Sequence, residues 1–325
     1  MTSPYAAPAE STPWGDPDWR ERVLSWIGEQ VAVVGMDEPR LRAWSITMRV
    51  RTARGPVWFK ANPPDSRFEA GLTEALSRWV PDQVLTPLAA EAAEGWSLLP
   101  DGGTALRETD PDLATWENLL RQYAELQRSV APHVDELSRL GVPDLRPDRL
   151  PARFAELVES AAVRAQLSAA QYAALTSAGH RFADECAELA TSAIPASVDH
   201  SDLHEGQAFW TGDGRFVFFD WGDASIGHPF TSFLVAYRAA AHRFGPGRLD
   251  RLRDAYLEPW TADQPVAELR AAADLAVRVG AVSRALSWGR VFPEAAHVLA
   301  AEHGRFVAEW LLRIVEPEAD MLTPG

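Results

Sequence analysis

Lysine is almost missing from this chain: of its 31 basic residues 30 are arginine, and the one lysine is at position 60. Cysteine is as scarce. The single Cys186 excludes an internal disulfide, and its helical spacing from Phe182 and Leu189 predicts a core position rather than a metal ligand. Positive charge is the minority, 31 basic against 46 acidic residues for a formal net charge of −15, and no basic run occurs. Nucleic acid is therefore not expected as a partner, because phosphate backbones are held by clustered Lys and Arg. No apolar run reaches the roughly eighteen residues that a membrane span needs. The opening "MTSPYAAPAESTPWGDPDW" has no basic end followed by an apolar core. These absences point to a cytoplasmic protein with no membrane partner and a disordered tail over residues 1–17. Its 325 residues, 46% of them hydrophobic, suffice for one large globular domain or two lobes.

What is present is concentrated in residues 198–229. The run Val198-Asp199-His200-Ser201-Asp202-Leu203-His204-Glu205-Gly206-Gln207 precedes the apolar triplet Ala208-Phe209-Trp210. A Gly/Asp turn follows, then Phe216-Val217-Phe218-Phe219-Asp220-Trp221-Gly222-Asp223. Two short apolar strands about a turn predict a β-hairpin. Its open ends would bring Asp202 and Gln207 beside Asp220. Oxygen donors gathered in this way suit a divalent cation with a hydroxyl oriented next to it, and so point to phosphoryl transfer. Two other readings use the same residues: a solvated loop, or a zinc site built on His200, Asp202, His204 and His228.

The sequences "HSDLHEGQ" and "FFDWGDASIGHPF" resemble the aminoglycoside phosphotransferase family, kinase-like enzymes that phosphorylate small molecules. The resemblance implies that Asp202 aligns or deprotonates the acceptor hydroxyl. It also implies that Asp220 and the amide residue Gln207 hold Mg2+, and that His200 has a structural place in the catalytic loop. Gln207 departs from the family's Asn by one methylene, which bears on the metal geometry. The lone Lys60 lies on the strand "GPVWFKAN", where the family's lysine meets the α and β phosphates of ATP. Its carboxylate partner would come from the helix "DSRFEAGLTEALSRWV", with Asp65 as N-cap: Glu69 by spacing to Pro81, or else Glu74. No Gly-x-Gly-x-x-Gly occurs; a turn containing Ser45, with Arg42 and Trp44 nearby, would cover the phosphates instead. Leu98 and Leu99, before the Pro/Gly segment "LLPDGG", would lie beside the adenine, with Asp101 at the exit.

The expected fold is α+β and two-lobed like a protein kinase, with a small β-rich N-terminal lobe and a larger, mostly helical C-terminal lobe. Residues 18–99 would form the nucleotide lobe, 100–103 a hinge, and 104–325 the helical lobe carrying the hairpin at 198–229. In the first lobe we expect a helix over 18–30 and strands over 31–34, 46–52 and 57–61, then two strands within 84–99. Four helices should follow the hairpin, over 229–243, 247–260, 267–288 and 293–315. The function expected is ATP-dependent phosphorylation of a small-molecule hydroxyl. By resemblance and by acidity the acceptor would be aminoglycoside-like or another aminated or sugar alcohol, cationic or polyhydroxylated. Asp223, Glu205, Asp254, Glu258 and Arg284 are candidates to touch it, and Trp260, Trp288 and Trp310 could stack on a sugar. The alternative is a catalytically weak kinase-like nucleotide- or small-molecule-binding protein, suggested by Gln207 and the missing glycine loop.

Overall fold

The computed structural model describes residues 6–296 and 298–316. Strict alternation of buried and half-exposed residues from Ser45 to Val50 makes this stretch the spine of an antiparallel sheet. Its strands are β1 (Val33–Met36), β2 (Arg40–Arg42), β3 (Ser45–Thr52), β4 (Gly55–Ala61), β5 (Ala89–Glu91) and β6 (Trp96–Pro100). They lie in the order β1-β3-β4-β6-β5, with β2 also paired to β3. The even-numbered residues Ile46, Met48 and Val50 meet Phe59, Leu98 and Trp96 in one apolar cluster. Helix α1 (Pro17–Gln30) covers that cluster with Trp19, Val23 and Ile27. Asp16 caps α1 by accepting from the Asp18 amide, and Pro17 supplies the fixed φ of the first turn.

Helix α2 (Phe68–Trp79) turns Phe68, Leu72 and Leu76 away from this cluster and into the core of the second lobe. That lobe is built from α3 (Leu113–Val130), α4 (Val134–Arg139), α5 (Leu150–Glu159), α6 (Ala161–Arg164) and α7 (Ala169–Ala190). After the hairpin region come α8 (Phe233–Phe244), α9 (Leu249–Leu257), α10 (Val266–Ser287), α11 (Pro293–Ala296) and α12 (Ala300–Leu312). Cys186 is buried in this core with Phe182 and Leu189, as its spacing predicts. The architecture is thus the two-lobed α+β arrangement expected. Among the described residues no helix is long and apolar enough to cross a membrane.

Several local expectations are corrected. The tail expected to be disordered is placed from residue 6 onward; its first five residues lie outside the described residues. The Ala7 amide donates to the Leu41 carbonyl at 3.1 Å, Ser11 Oγ donates to the Pro8 carbonyl at 2.9 Å, and Trp14 packs edge-on against Trp19. Helix α2 begins at Phe68, because residues 64–66 form a separate 3₁₀ turn; Asp65 lies in that turn and caps nothing. The expected loop before β3 contains β2, whose pairing partner a local pattern does not reveal. Val84 starts no strand of its own and instead bridges to Phe218 of the hairpin. Of the four closing helices, the last is divided into α11 and α12.

One contact ties the chain's late segment to the sheet. Phe292, 3% exposed, inserts into the first lobe's cluster, and its amide donates to the Ala43 carbonyl at 2.7 Å. A residue from beyond α10 therefore completes a core made mostly of residues before 100. Phe292→Ala should lower the unfolding free energy by about 3–5 kcal/mol, the usual range for emptying a buried phenylalanine site. Urea denaturation measures it, and a loss below about 1 kcal/mol would contradict this packing.

Candidate active site

The hairpin forms where the sequence predicts it. Strands β8 (Ala208–Trp210) and β9 (Phe216–Phe218) pair with Ala208 opposite Phe218, which leaves the 200–207 loop and Asp220 at the open end. A second pair, β7 (Ser197–Asp199) with β10 (Ser225–Gly227), closes the base. Between them lies Asp199, a residue that the sequence reading passed over. It is 2% exposed, and its carboxyl group accepts four hydrogen bonds: from the Ser201 amide (2.8 Å), Ser201 Oγ (3.0 Å), Thr231 Oγ1 (2.9 Å) and Ser232 Oγ (2.6 Å). Ser201 has φ +60°, a left-handed conformation rare for a residue with a Cβ, and the two bonds to Asp199 hold it there. The strained turn aims the next residue, Asp202, into the cleft.

Lys60, on β4, is the meeting point of the two lobes. Its Nζ lies 2.8 and 2.7 Å from the two carboxylate oxygens of Glu69 on α2 and 2.5 Å from Asp220 Oδ1. Glu69 also accepts from the Trp221 amide at 2.9 Å and from Asn62 Nδ2. A Cβ on Gly222 would stand 3.0 Å from Glu69 Oε2, so a side chain there would press on the carboxylate. Burial alone would lower the pKa of Lys60, but Asp220 and then Glu69 outweigh it and the net shift is upward. Burial pushes Asp220 up, and the ammonium of Lys60 more than reverses this, so Asp220 is held below the ordinary carboxylate value. Lysine, a compact charge with three donors, fits among two carboxylates where a guanidinium fork would not. Glu74, the other candidate partner, is exposed and faces Arg78 on its own helix.

The remaining candidates divide. Gln207 donates its Nε2 to Asp202 Oδ2 at 3.0 Å, which leaves the amide oxygen as the group that could face a cation. His200 is fully buried; its Nε2 meets the Phe219 carbonyl at 3.0 Å and its ring packs on Trp221. It therefore links the loop to the strand bearing Asp220 and reaches no cleft surface. Ser45 shares the face of Lys60, because Thr47 pairs with Lys60 and Ser45 lies two residues along β3. By the same logic Leu99 lies on that face opposite Trp58, whereas Leu98 pairs with Phe59 on the other face and is fully buried. Leu98 is thus corrected from a cleft-facing residue to a core residue. Trp58 was not foreseen: it is 38% exposed on the cleft face, and its Nε1 donates to Asp101 Oδ2 at 3.1 Å. Alternation about Lys60 was the available signal.

The zinc reading fails on geometry. Among the described residues no group of three or more His, Cys, Asp or Glu is disposed to hold a metal ion. His204 lies 3.7 Å from Asp202, but its Nδ1 accepts from the Gly206 amide, while His228 is occupied by Ser192 and the Phe230 amide. Burial lowers the pKa of His228 to about 3, and burial also holds that of His204 below the ordinary histidine value. The oxygen donors at the open end of the hairpin, the Asp220 carboxylate and the Gln207 amide oxygen, are of the kind a hard cation such as Mg2+ takes, one or two from protein with the shell completed by phosphate and water.

On the other side of Asp202 is a cavity of about 410 Å³. Its floor carries Asp202, Asp223 and Arg284. Arg284 Nη2 donates to Asp202 Oδ1 at 2.8 Å and Nη1 to Asp223 Oδ2 at 2.5 Å. Burial would lower the Arg284 pKa, but Asp202 and Asp223 raise it overall. Burial raises that of Asp223, against the pull of Arg284. Of the other expected acceptor contacts, Asp254 and Glu258 line a separate surface depression. Glu205 faces Arg243. Trp260 and Trp310 are buried, and Trp288 alone of the three tryptophans lines the cavity.

The model of the phosphotransferase enzyme family matches residues 43–275. No curated protein matches the chain by sequence. Among solved structures, the GDP and kanamycin complex of APH(2")-IIia is similar at 16% identity and TM-score 0.61, over 92% of this chain and 99% of that one. A choline kinase from Cryptosporidium parvum Iowa II gives 12% identity and TM-score 0.61, over 92% and 96%. The amicoumacin kinase hAmiN, in complex with AMP-PNP, Ca2+ and Ami, gives 11% identity and TM-score 0.57, over 93% and 94%. At such identities the likeness is one of fold.

Asp199→Ala would leave the Ser201 and Ser232 hydroxyls and the Ser201 amide short of their acceptor, while Thr231 keeps only the His228 carbonyl. We expect a loss of about 2–4 kcal/mol of stability, since hydrogen bonds to a carboxylate and the groups left unpaired both count. Chemical denaturation checks the value; a loss under about 0.5 kcal/mol would show that water replaces the carboxyl group.

Proposed function

The chain belongs to the phosphotransferase enzyme family, and from that premise we propose that it transfers the γ-phosphoryl group of ATP to a hydroxyl of a small molecule. The observation that supports this most is the convergence of Glu69 and Asp220 on Lys60, each carboxylate within 2.8 Å of its Nζ, with Asp202 on the neighbouring loop facing a cavity of its own. In this reading Lys60 meets the α and β phosphates and Glu69 holds Lys60 in place. Ser45 and the turn before it cover the phosphates, and Leu99 and Trp58 lie towards the base. Asp220 and the Gln207 amide oxygen hold Mg2+, which when bound would neutralise phosphate charge.

Asp202 orients the acceptor hydroxyl. The hydroxyl oxygen forms a bond to the γ-phosphorus as the bond to the β–γ bridging oxygen breaks. ADP leaves with that electron pair, and the hydroxyl proton passes to Asp202 and on to solvent. No covalent intermediate on the protein is required, so positioning and charge neutralisation carry the rate. Asp202 is well suited to positioning, because Arg284 and Gln207 each hold one of its oxygens.

Asp202→Ala should reduce transfer by at least about a thousandfold while the affinity for MgATP changes less than about twofold, given typical losses when an orienting and proton-accepting group is removed. Equal loss of both would assign Asp202 to the nucleotide instead. In a second measurement, ATP should raise the melting temperature only with Mg2+ present, and Asp220→Asn should abolish the rise, since a ligand of the native state alone must stabilise it. A rise that is independent of Mg2+, or one that survives in the variant, would remove Asp220 from the metal site.

A further inference from the structure

The acceptor expected from resemblance and acidity was a cationic or polyhydroxylated alcohol, and the cavity beside Asp202 has the wrong chemistry for a polycation. Its floor is already neutralised. Arg284 is bound to both carboxylates, and a second buried guanidinium, Arg290, sits in the same lining and donates to the Gly222 and Ala224 carbonyls. Two carboxylates thus face two guanidiniums, with none left unpaired for an ammonium. The one other acidic residue in the lining is Glu302, exposed at its edge. An amine entering the floor would have to displace Arg284 or lose its hydration next to that cation, and either is costly.

The walls are mostly apolar, with Ser11, Ser287 and His303 the other polar side chains in the lining. Trp44, Trp288, Val291, Val298, Leu299 and Phe306 surround the opening. Trp288 and Phe306 are stacked, with ring centroids 4.4 Å apart and planes at 19°. Trp288 Nε1 is buried away from the surface, so the indole offers its ring rather than a donor to a ligand. Val298 remains unusually exposed for its type, at 68%, as expected of a wall that a ligand covers. The volume, about 410 Å³, falls within the range of ~300–1,000 Å³ typical of pockets that enclose drug-sized ligands.

Resting on the phosphotransferase reading above, we infer that the acceptor is an uncharged, largely apolar alcohol carrying a ring system, not an aminoglycoside-like polycation. Its rings lie between Trp44 on the first lobe and Trp288 and Phe306 on the second, and one hydroxyl reaches Asp202. The products are the phosphate monoester of that alcohol, ADP and a proton. The net charge of −15 belongs to the surface as a whole; the acceptor meets a floor in which that charge has been cancelled.

The test is an ADP-release assay on the full chain with MgATP and two panels. One contains kanamycin and other polyamines. The other contains uncharged ring alcohols: a sterol, a macrocyclic lactone alcohol and an aryl-substituted alkanol. Each compound is also tested for a rise in melting temperature. The neutral panel should contain the compound with the highest kcat/KM, at least tenfold above any polyamine. Val298→Asp, a change at an exposed position, should raise KM for that alcohol about tenfold or more. Faster turnover of a polyamine overturns the inference, as does a neutral panel silent in both assays, or a Val298→Asp enzyme with unchanged KM. The phosphotransferase reading fails by a different sign, a chain that MgATP does not stabilise at all.

Discussion

A single ammonium group holds the two lobes in register. Lys60 comes from a strand of the first lobe, Glu69 from a helix whose apolar face belongs to the second lobe's core, and Asp220 from the loop after the hairpin. Lys60 and Glu69 are largely buried while the Asp220 side chain remains 46% exposed, and the three charges satisfy one another: two carboxylates would repel without the lysine, and the lysine would be costly to bury without them. Glu69 extends the junction through the Trp221 amide and Asn62, so backbone as well as side chains are fixed there. The chain's only lysine is therefore the one position at which a flexible stem and a compact charge have no substitute among its thirty arginines.

The second lobe provides a rigid polar floor beneath the catalytic loop. Asp199 gathers Ser201, Thr231 and Ser232. Tyr123 and Gln127 of α3 extend the network, with Gln127 Nε2 donating to the Val198 and Pro229 carbonyls at 2.8 and 2.9 Å. A fully bonded network of this kind fixes geometry more strictly than apolar packing does, because each misplaced member leaves a buried group unpaired. It also explains how Ser201 can keep a left-handed backbone without glycine. Asp202 is then held from both sides, by Gln207 within its own loop and by Arg284 from α10. Arg284 thus joins the reacting end of the site to the cavity that we assign to the acceptor.

Much of the site could be read in the sequence because its residues lie in short runs. The hairpin, with Asp202, Gln207 and Asp220 at its open end, follows from strand alternation and turn residues within about thirty positions, while the place of Lys60 on its strand was implied by the family resemblance. Glu69 was separable from Glu74 only by spacing, and the fold shows the consequence: five residues of helix put Glu74 on the solvent face beside Arg78. Leu98 was misplaced because two successive leucines on a strand face opposite ways, and composition does not say which way. Asp199 was passed over for a similar reason. One acidic residue in a polar run gives no local sign that it will be buried.

The sequence by itself determined most of the strands and helices, the core position of Cys186 and the short motifs that gather at the hairpin. These follow from periodicity, which acts over a few residues, while the two-lobed architecture was implied by the family resemblance. The tertiary structure alone decided which charges are paired and which are free. Arg284 lies 82 residues from Asp202 and 61 from Asp223, and Phe292 is far from the sheet that it completes. Charge counted along a chain sums to −15, whereas a bound molecule meets only the charges left uncompensated within a few ångströms of it. The acidic total pointed to a cationic acceptor, whereas the paired charges and aromatic walls of the cavity are the ground on which we infer a neutral one.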